Sequence, residues 1–104
     1  MDAQLKKGLT DVCVLAALKK GESYGYKIVS ELFPCIVLSE STLYPVLRRL
    51  EARGEVSSRV EVFSGRVRKY YAITPEGVAR LERFSETAAT FQKITEYIQN
   101  GGKI

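Results

Sequence analysis

The chain has 104 residues, 45% of them hydrophobic and 27% charged, with a formal net charge of +4. That is enough for one domain with a single core and too little for two, and no stretch approaches the roughly 20 apolar residues of a membrane span. Two cysteines, Cys13 and Cys35, and no histidine leave no disulfide framework and no zinc site, and favour a reduced, cytoplasmic protein.

In chain order, Leu5, Leu9, Val12, Leu15 or Ala16, and Leu18 recur at helical spacing, and Gly21 stops that first helix. The run Val12–Leu18 is apolar nearly all round, so its middle is expected to be the most buried part of the domain, with Cys13 a small buried apolar residue. Lysines before this run superficially mimic a signal peptide. The run is too short, however, and charged "KKGE" follows where a cleavage site would stand. Ser23 is the expected N-cap of a second helix, "YGYKIVSELF", on which Tyr24, Ile28 and Leu32 align. Pro34 ends it.

The third helix contains "STLYPVLRRLEARG". Leu43, Val46, Leu47 and Leu50 share one face. Pro45 inside it removes a hydrogen bond to the carbonyl four residues back, that of Ser41. The loss is harmless if Thr42 caps the helix and Pro45 lies in its first turn. Alternatively Ser39 is the cap and Pro45 bends the helix. Gly54 closes it.

"EVSSRVEVFSGRVRKYYAIT" is then a β-hairpin about Ser64–Gly65. Val56, Val60 and Val62 alternate with polar residues, as do Val67, Tyr71 and Ile73. Shared parity assigns Tyr71 to the core and leaves Tyr70 nearer the wing surface. Thr74–Pro75–Glu76 reads as N-cap, first-turn proline and first-turn acid. The last helix carries Val78, Leu81, Phe84, Ala88, Phe91, Ile94 and Ile98 in a coiled-coil-like stripe.

Three helices, a hairpin and a long helix make a mainly α protein with a small β-hairpin: a winged helix-turn-helix over residues 1–74, followed by a C-terminal dimerisation helix over 75–104. The stripe is too long for so small a core. The outer part of the stripe is therefore expected to pack against another chain.

Charge is placed unevenly. Residues 48–69 hold seven cationic side chains against three acidic ones, whereas the flanking segments balance. Such a patch is the footprint of a polyanion partner or a solvated arginine-rich surface. The third helix favours the first reading. The second helix of a helix-turn-helix enters the major groove by its N-terminal residues. There Ser39, Ser41, Thr42 and Tyr44 offer hydroxyls to phosphates or base edges, and Arg48 adds charge one turn on. Arg66, Arg68 and Lys69 crowd the hairpin's second strand, where they would meet phosphate or keep an edge strand from pairing with strangers.

"SYGYKIVSEL", "STLYPVLRRLEARGEV" and "RKYYAITPEGVARL" together resemble the PadR family of transcriptional regulators, over roughly residues 8–85. The single helix after the wing is similar to the family's small subclass. The resemblance implies a homodimer on a palindromic double-stranded operator, usually as a repressor, with the last and first helices forming the interface through Leu5, Leu81, Phe84, Ala88, Phe91, Ile94 and Ile98. It matches Tyr44 to the family tyrosine of the recognition helix and sets Lys27, Arg66, Arg68 and Lys69 near the DNA backbone. Some relatives release DNA on binding phenolic or drug-like ligands, which leaves open a small aromatic effector. Certain members stack such ligands on a tryptophan of the last helix. This chain has none, and Phe84 and Phe91 sit where packing is an aromatic's ordinary role.

A winged-helix protein-interaction module without DNA binding is the alternative. No histidine, metal-ligand spacing or glycine-rich phosphate loop supports an enzyme, a cofactor or a metal.

Overall fold

The structure, a computed structural model, describes residues 2–102. Met1, Lys103 and Ile104, the outermost residues of the two expected segments, lie outside the described residues. Helices α1 (Ala3–Leu18), α2 (Gly25–Leu32) and α3 (Glu40–Ala52) precede strands β1 (Val56–Phe63) and β2 (Arg66–Ile73), and α4 (Pro75–Gln99) ends the chain.

Asp2 caps α1 by accepting from the Gln4 N–H at 2.8 Å. Val14, Leu15 and Leu18 turn into the core. Cys13 and Val12 are only half-buried and Ala16 is exposed, so the run is less enclosed than its composition suggests. Leu5, Leu9 and Val12 lie instead beside α4, where they line a shallow groove with Phe84.

Ser23 does not cap α2. Tyr24 occupies that position without a side-chain hydrogen bond. Ser23 is used as a one-residue strand: its N–H donates to Tyr71 O at 3.0 Å and its carbonyl accepts from Tyr71 N at 2.8 Å. This bridge ties the start of α2 to β2. The Ser23 hydroxyl is buried and has no hydrogen-bond partner among the described residues.

The cap of α3 is Ser39, whose Oγ accepts from Thr42 N at 3.2 Å. Pro45 therefore stands in the second turn, not the first. The Ser41 carbonyl that Pro45 cannot bond belongs to an exposed residue, where it is open to solvent, and this lets the helix tolerate the ring. At the other end Gly54, at φ +73°, makes a Schellman turn, with Glu55 N donating to Leu50 O and Gly54 N to Glu51 O, both at 2.9 Å.

β1 and β2 pair antiparallel from Val56↔Ile73 to Phe63↔Arg66. Ser64 and Gly65 both have positive φ (50° and 76°), the signature of a type I′ turn. Only the root of the hairpin meets the core, through Val56 and Tyr71. Val60, Val62 and Val67 keep the expected alternation but are 59–71% exposed, because the hairpin runs on past the last helix able to cover them.

Leu43, Val46, Leu47 and Leu50 of α3 lie at the centre of the core with Leu15, Leu18 and Ile28. Thr74 caps α4 by accepting from Gly77 N, and its hydroxyl donates to Gly54 O at 2.6 Å. Among the described residues no helix is long and apolar enough to cross a membrane.

Two carboxylates are buried among these elements, Asp11 and, at 8% exposed, Glu55. Asp11 on α1 is 2% exposed. Arg49 of α3 donates to both its oxygens, Arg80 of α4 donates to Oδ2 at 3.2 Å, and Arg53 approaches to 3.7 Å. Arg80 also donates to Glu55 at 2.8 Å. Asp11→Ala would leave the arginine charges packed against one another without their acceptor. Arg49 and Arg80 retain some access to solvent, so the loss is expected at the lower end for a broken buried pair, about 3 kcal/mol. Urea unfolding at equal protein concentration should show a lower midpoint with an unchanged slope.

Candidate nucleic-acid interface

The N-terminal ends of α2 and α3 and the outer part of the hairpin enclose an open groove. Tyr24 and Gly25, Glu40 and Tyr44, and Arg66, Arg68 and Lys69 line it. Residues far apart in sequence meet here because the Ser23–Tyr71 bridge holds the hairpin against the helix-turn-helix.

At the leading end of α3 the three hydroxyls form one cluster. Ser39 Oγ lies 2.9 Å from Ser41 Oγ and 3.0 Å from Thr42 Oγ1. Ser39 is the cap, and the other two hydroxyls lean on it. All three are exposed. Tyr44 is 39% exposed, and its hydroxyl donates to Glu40 Oε1 at 3.4 Å. Its ring passes over Gly25, where a Cβ would stand 2.8 Å from the Tyr44 oxygen. Glycine at this position gives the tyrosine its seat. Arg48 is exposed one turn further on.

The basic stretch divides in space. Arg49 and Arg53 turn inward to Asp11. Arg59 pairs with Glu22 and with Glu61 at 2.7 Å, and its guanidinium stays protonated, its pKa raised chiefly by the hydrogen bonds to those two acids. Lys69 lies 3.9 Å from Glu51 and over the Tyr71 ring at 5.5 Å. Lys27 sits on the exposed face of α2, 3.9 Å from Glu31, and does not line the groove. Among the described residues, Arg48, Arg66 and Arg68 make no ion pair. The sequence reading missed the acids that absorb the others. Asp11 and Glu22 lie outside the basic stretch and meet it only in the fold. It also missed Tyr24, assigned to an apolar helix face, whose ring carries the Arg68 guanidinium.

The apolar stripe of α4 divides as well. Leu81 is half-buried and packs on the domain's own core. Beyond it Phe84, Phe91, Ile94 and Ile98 are 37–69% exposed, Ala88 is exposed, and Leu5 of α1 is 56% exposed. No group of three or more His, Cys, Asp or Glu side chains among the described residues could hold a metal ion.

The transcriptional regulator PadR-like family model matches residues 14–83. Transcriptional regulator Rv3488 of Mycobacterium tuberculosis is 50% identical over 44 residues, covering 42% of this chain and 41% of that protein. A transcriptional regulator from Clostridium thermocellum superposes with a TM-score of 0.77 at 31% identity, covering 90% of this chain and 96% of that one. Bacillus subtilis PadR, solved in complex with operator DNA, superposes with a TM-score of 0.69 at 26% identity, covering 73% of this chain and 46% of that one. These relatives are regulators of transcription, not enzymes.

The Tyr44 phenol is held above the ordinary tyrosine value of 10.0, first by burial and then by the Glu40 carboxylate beside it. The fold therefore favours the protonated phenol. Its contribution is fully present below the unfolded value and is lost as the pH rises through the folded one. Stability of Tyr44→Phe, measured by urea unfolding, should fall less steeply than that of the wild type between about pH 9 and 11. Parallel curves would contradict this.

Proposed function

The chain belongs to the PadR-like family of transcriptional regulators, and from that premise we propose that it is a homodimeric repressor of a palindromic double-stranded DNA operator in the cytoplasm. Residues 1–74 read the DNA and residues 75–104 pair the two copies. The N-terminal end of α3 enters the major groove, with Ser39, Ser41, Thr42 and Tyr44 leading and Arg48 following. Arg66, Arg68 and Lys69 of the wing lie along phosphates, and Lys27, exposed on α2 outside the groove, would meet the backbone only beyond it.

The observation that carries this reading is the selective pairing of the arginines between residues 48 and 69. Those that face the interior or the root of the wing are matched to acids. Arg48, Arg66 and Arg68, beside the leading end of α3 and along the wing, are exposed without an acidic partner among the described residues. Exposed cations free of acids release counterions on meeting phosphate and so supply affinity. Dimerisation is supported by the exposed apolar face of α4. Phe91, Ile94 and Ile98 face solvent, and an apolar stripe of this kind is buried by a second helix.

Binding to a duplex selected by the wild type is expected to be salt-sensitive. Six to ten phosphate contacts would lower affinity by roughly 10³–10⁵ between 50 and 200 mM salt. Arg48→Ala and Tyr44→Phe should each cost about 1–3 kcal/mol of affinity in a mobility-shift titration. Unchanged affinity in both would remove α3 from the interface. Ile94→Glu should sediment as a monomer and lose most operator affinity; a variant that stays dimeric would place the interface elsewhere.

A further inference from the structure

The contact between α2 and the wing contains an ordered stack. Glu22 accepts from Arg59 at 2.9 Å. The Arg59 guanidinium lies 4.7 Å from the centroid of the Tyr70 ring. Tyr70 meets Tyr24 edge-on, with centroids 5.8 Å apart and planes at 81°. The Arg68 guanidinium lies 4.1 Å from the centroid of Tyr24. The bridge between Ser23 and Tyr71 brings Tyr24 to this position, because the residues beside the bridge on each chain segment are Tyr24 and Tyr70.

Strand register adds a second constraint. Glu61 is directly opposite Arg68, and Arg59 is opposite Tyr70, all on one face of the hairpin. Glu61 would be the natural partner of Arg68. It is bonded instead to Arg59 at 2.7 Å.

We propose that Tyr24 is a positioning residue for DNA binding: its ring holds Arg68 ready for a phosphate, while Arg59 keeps the opposing Glu61 away from it. The inference rests on the DNA-binding reading above. A guanidinium stacked by its face leaves its N–H edge free to make the two-pronged contact that phosphate accepts. A long side chain already held in place loses less freedom on binding. Lysine could not serve here, since its ammonium has no planar fork to aim.

The test is a double-mutant cycle on a duplex that the wild-type protein selects from a random pool, with affinity measured from about 50 to 200 mM salt. Tyr24→Leu removes no charge. It is expected to weaken binding by about 5–30-fold for a two-fold symmetric complex, from one exposed cation–π contact in each protomer, with the salt slope unchanged. In the Arg68→Ala background the same substitution should change nothing. Tyr24→Phe, which keeps the ring, should retain the coupling to Arg68. Arg68→Lys, which keeps the charge, should lose about as much as Tyr24→Leu. If Tyr24→Leu does not fold, Arg68→Lys and Tyr24→Phe decide the matter alone.

Equal loss from Tyr24→Leu with and without Arg68 would overturn the inference, as would full affinity in Tyr24→Leu or in Arg68→Lys. A Tyr24→Phe variant that has lost its coupling to Arg68 would also overturn it. A wild-type protein that binds no duplex would overturn the DNA-binding reading and this inference with it, which separates that failure from a binding protein with an uncoupled tyrosine.

Discussion

Burying the Asp11 carboxylate takes a charge out of water, which costs several kcal/mol unless partners replace the lost hydration. The chain meets this cost with arginines from two other helices, Arg49 of α3 and Arg80 of α4, and Arg80 reaches on to Glu55 at the start of the hairpin. Apolar contacts alone would hold α3 in the core, since Leu43, Val46, Leu47 and Leu50 are almost fully enclosed. Such packing permits some sliding and rotation of a helix. A guanidinium–carboxylate contact made to both oxygens is directional. The network therefore fixes α3 against both α1 and α4, the helix that the proposed function assigns to reading against the one it assigns to pairing.

That arrangement also sorts the positive charge. An arginine that serves the interior is unavailable to a polyanion, and one that faces solvent with an acid beside it is largely neutralised. Arg49, Arg53 and Arg59 are used in these ways. Of the cations between residues 48 and 69, those that remain lie on the wing and on the exposed side of α3. Arg59 plays the less obvious part. It takes up both Glu22 and Glu61, the second of which would otherwise face Arg68 across the hairpin. A residue whose own charge is neutralised can thus shape an electrostatic surface by occupying its acids.

Much of the fold was legible in local pattern. The period of Leu43, Val46, Leu47 and Leu50 marked the buried face of α3, Ser64–Gly65 marked the turn, and Thr74–Pro75 marked the start of α4. Each signal is decided within a few residues by backbone geometry or helix periodicity. The misreadings share a cause. Ser23 has the chemistry of a cap, but a strand 48 residues later in the sequence claims its backbone. Asp11 is one polar residue in a helix, and its partners Arg49 and Arg80 are 38 and 69 residues away. Counting charges along the chain assigned Asp11 and Glu22 to a neutral segment, whereas in space they cancel cations of the basic one. Tyr24 looked like part of an apolar stripe because its partner, Arg68, belongs to the wing. For the candidate site, residue types at the leading end of α3 were visible; which arginines stay free was not, because that depends on long-range pairing.

The proposed function requires that two copies hold their reading helices at a fixed separation on one duplex. Hydroxyl-radical footprinting of the wild-type protein on a duplex it selects tests this most directly. Two protected blocks on the same face, related by a two-fold axis and centred about 10–10.5 base pairs apart or a multiple of that, are expected. A single protected block at saturation, or no protection at concentrations where the protein is dimeric, would contradict it.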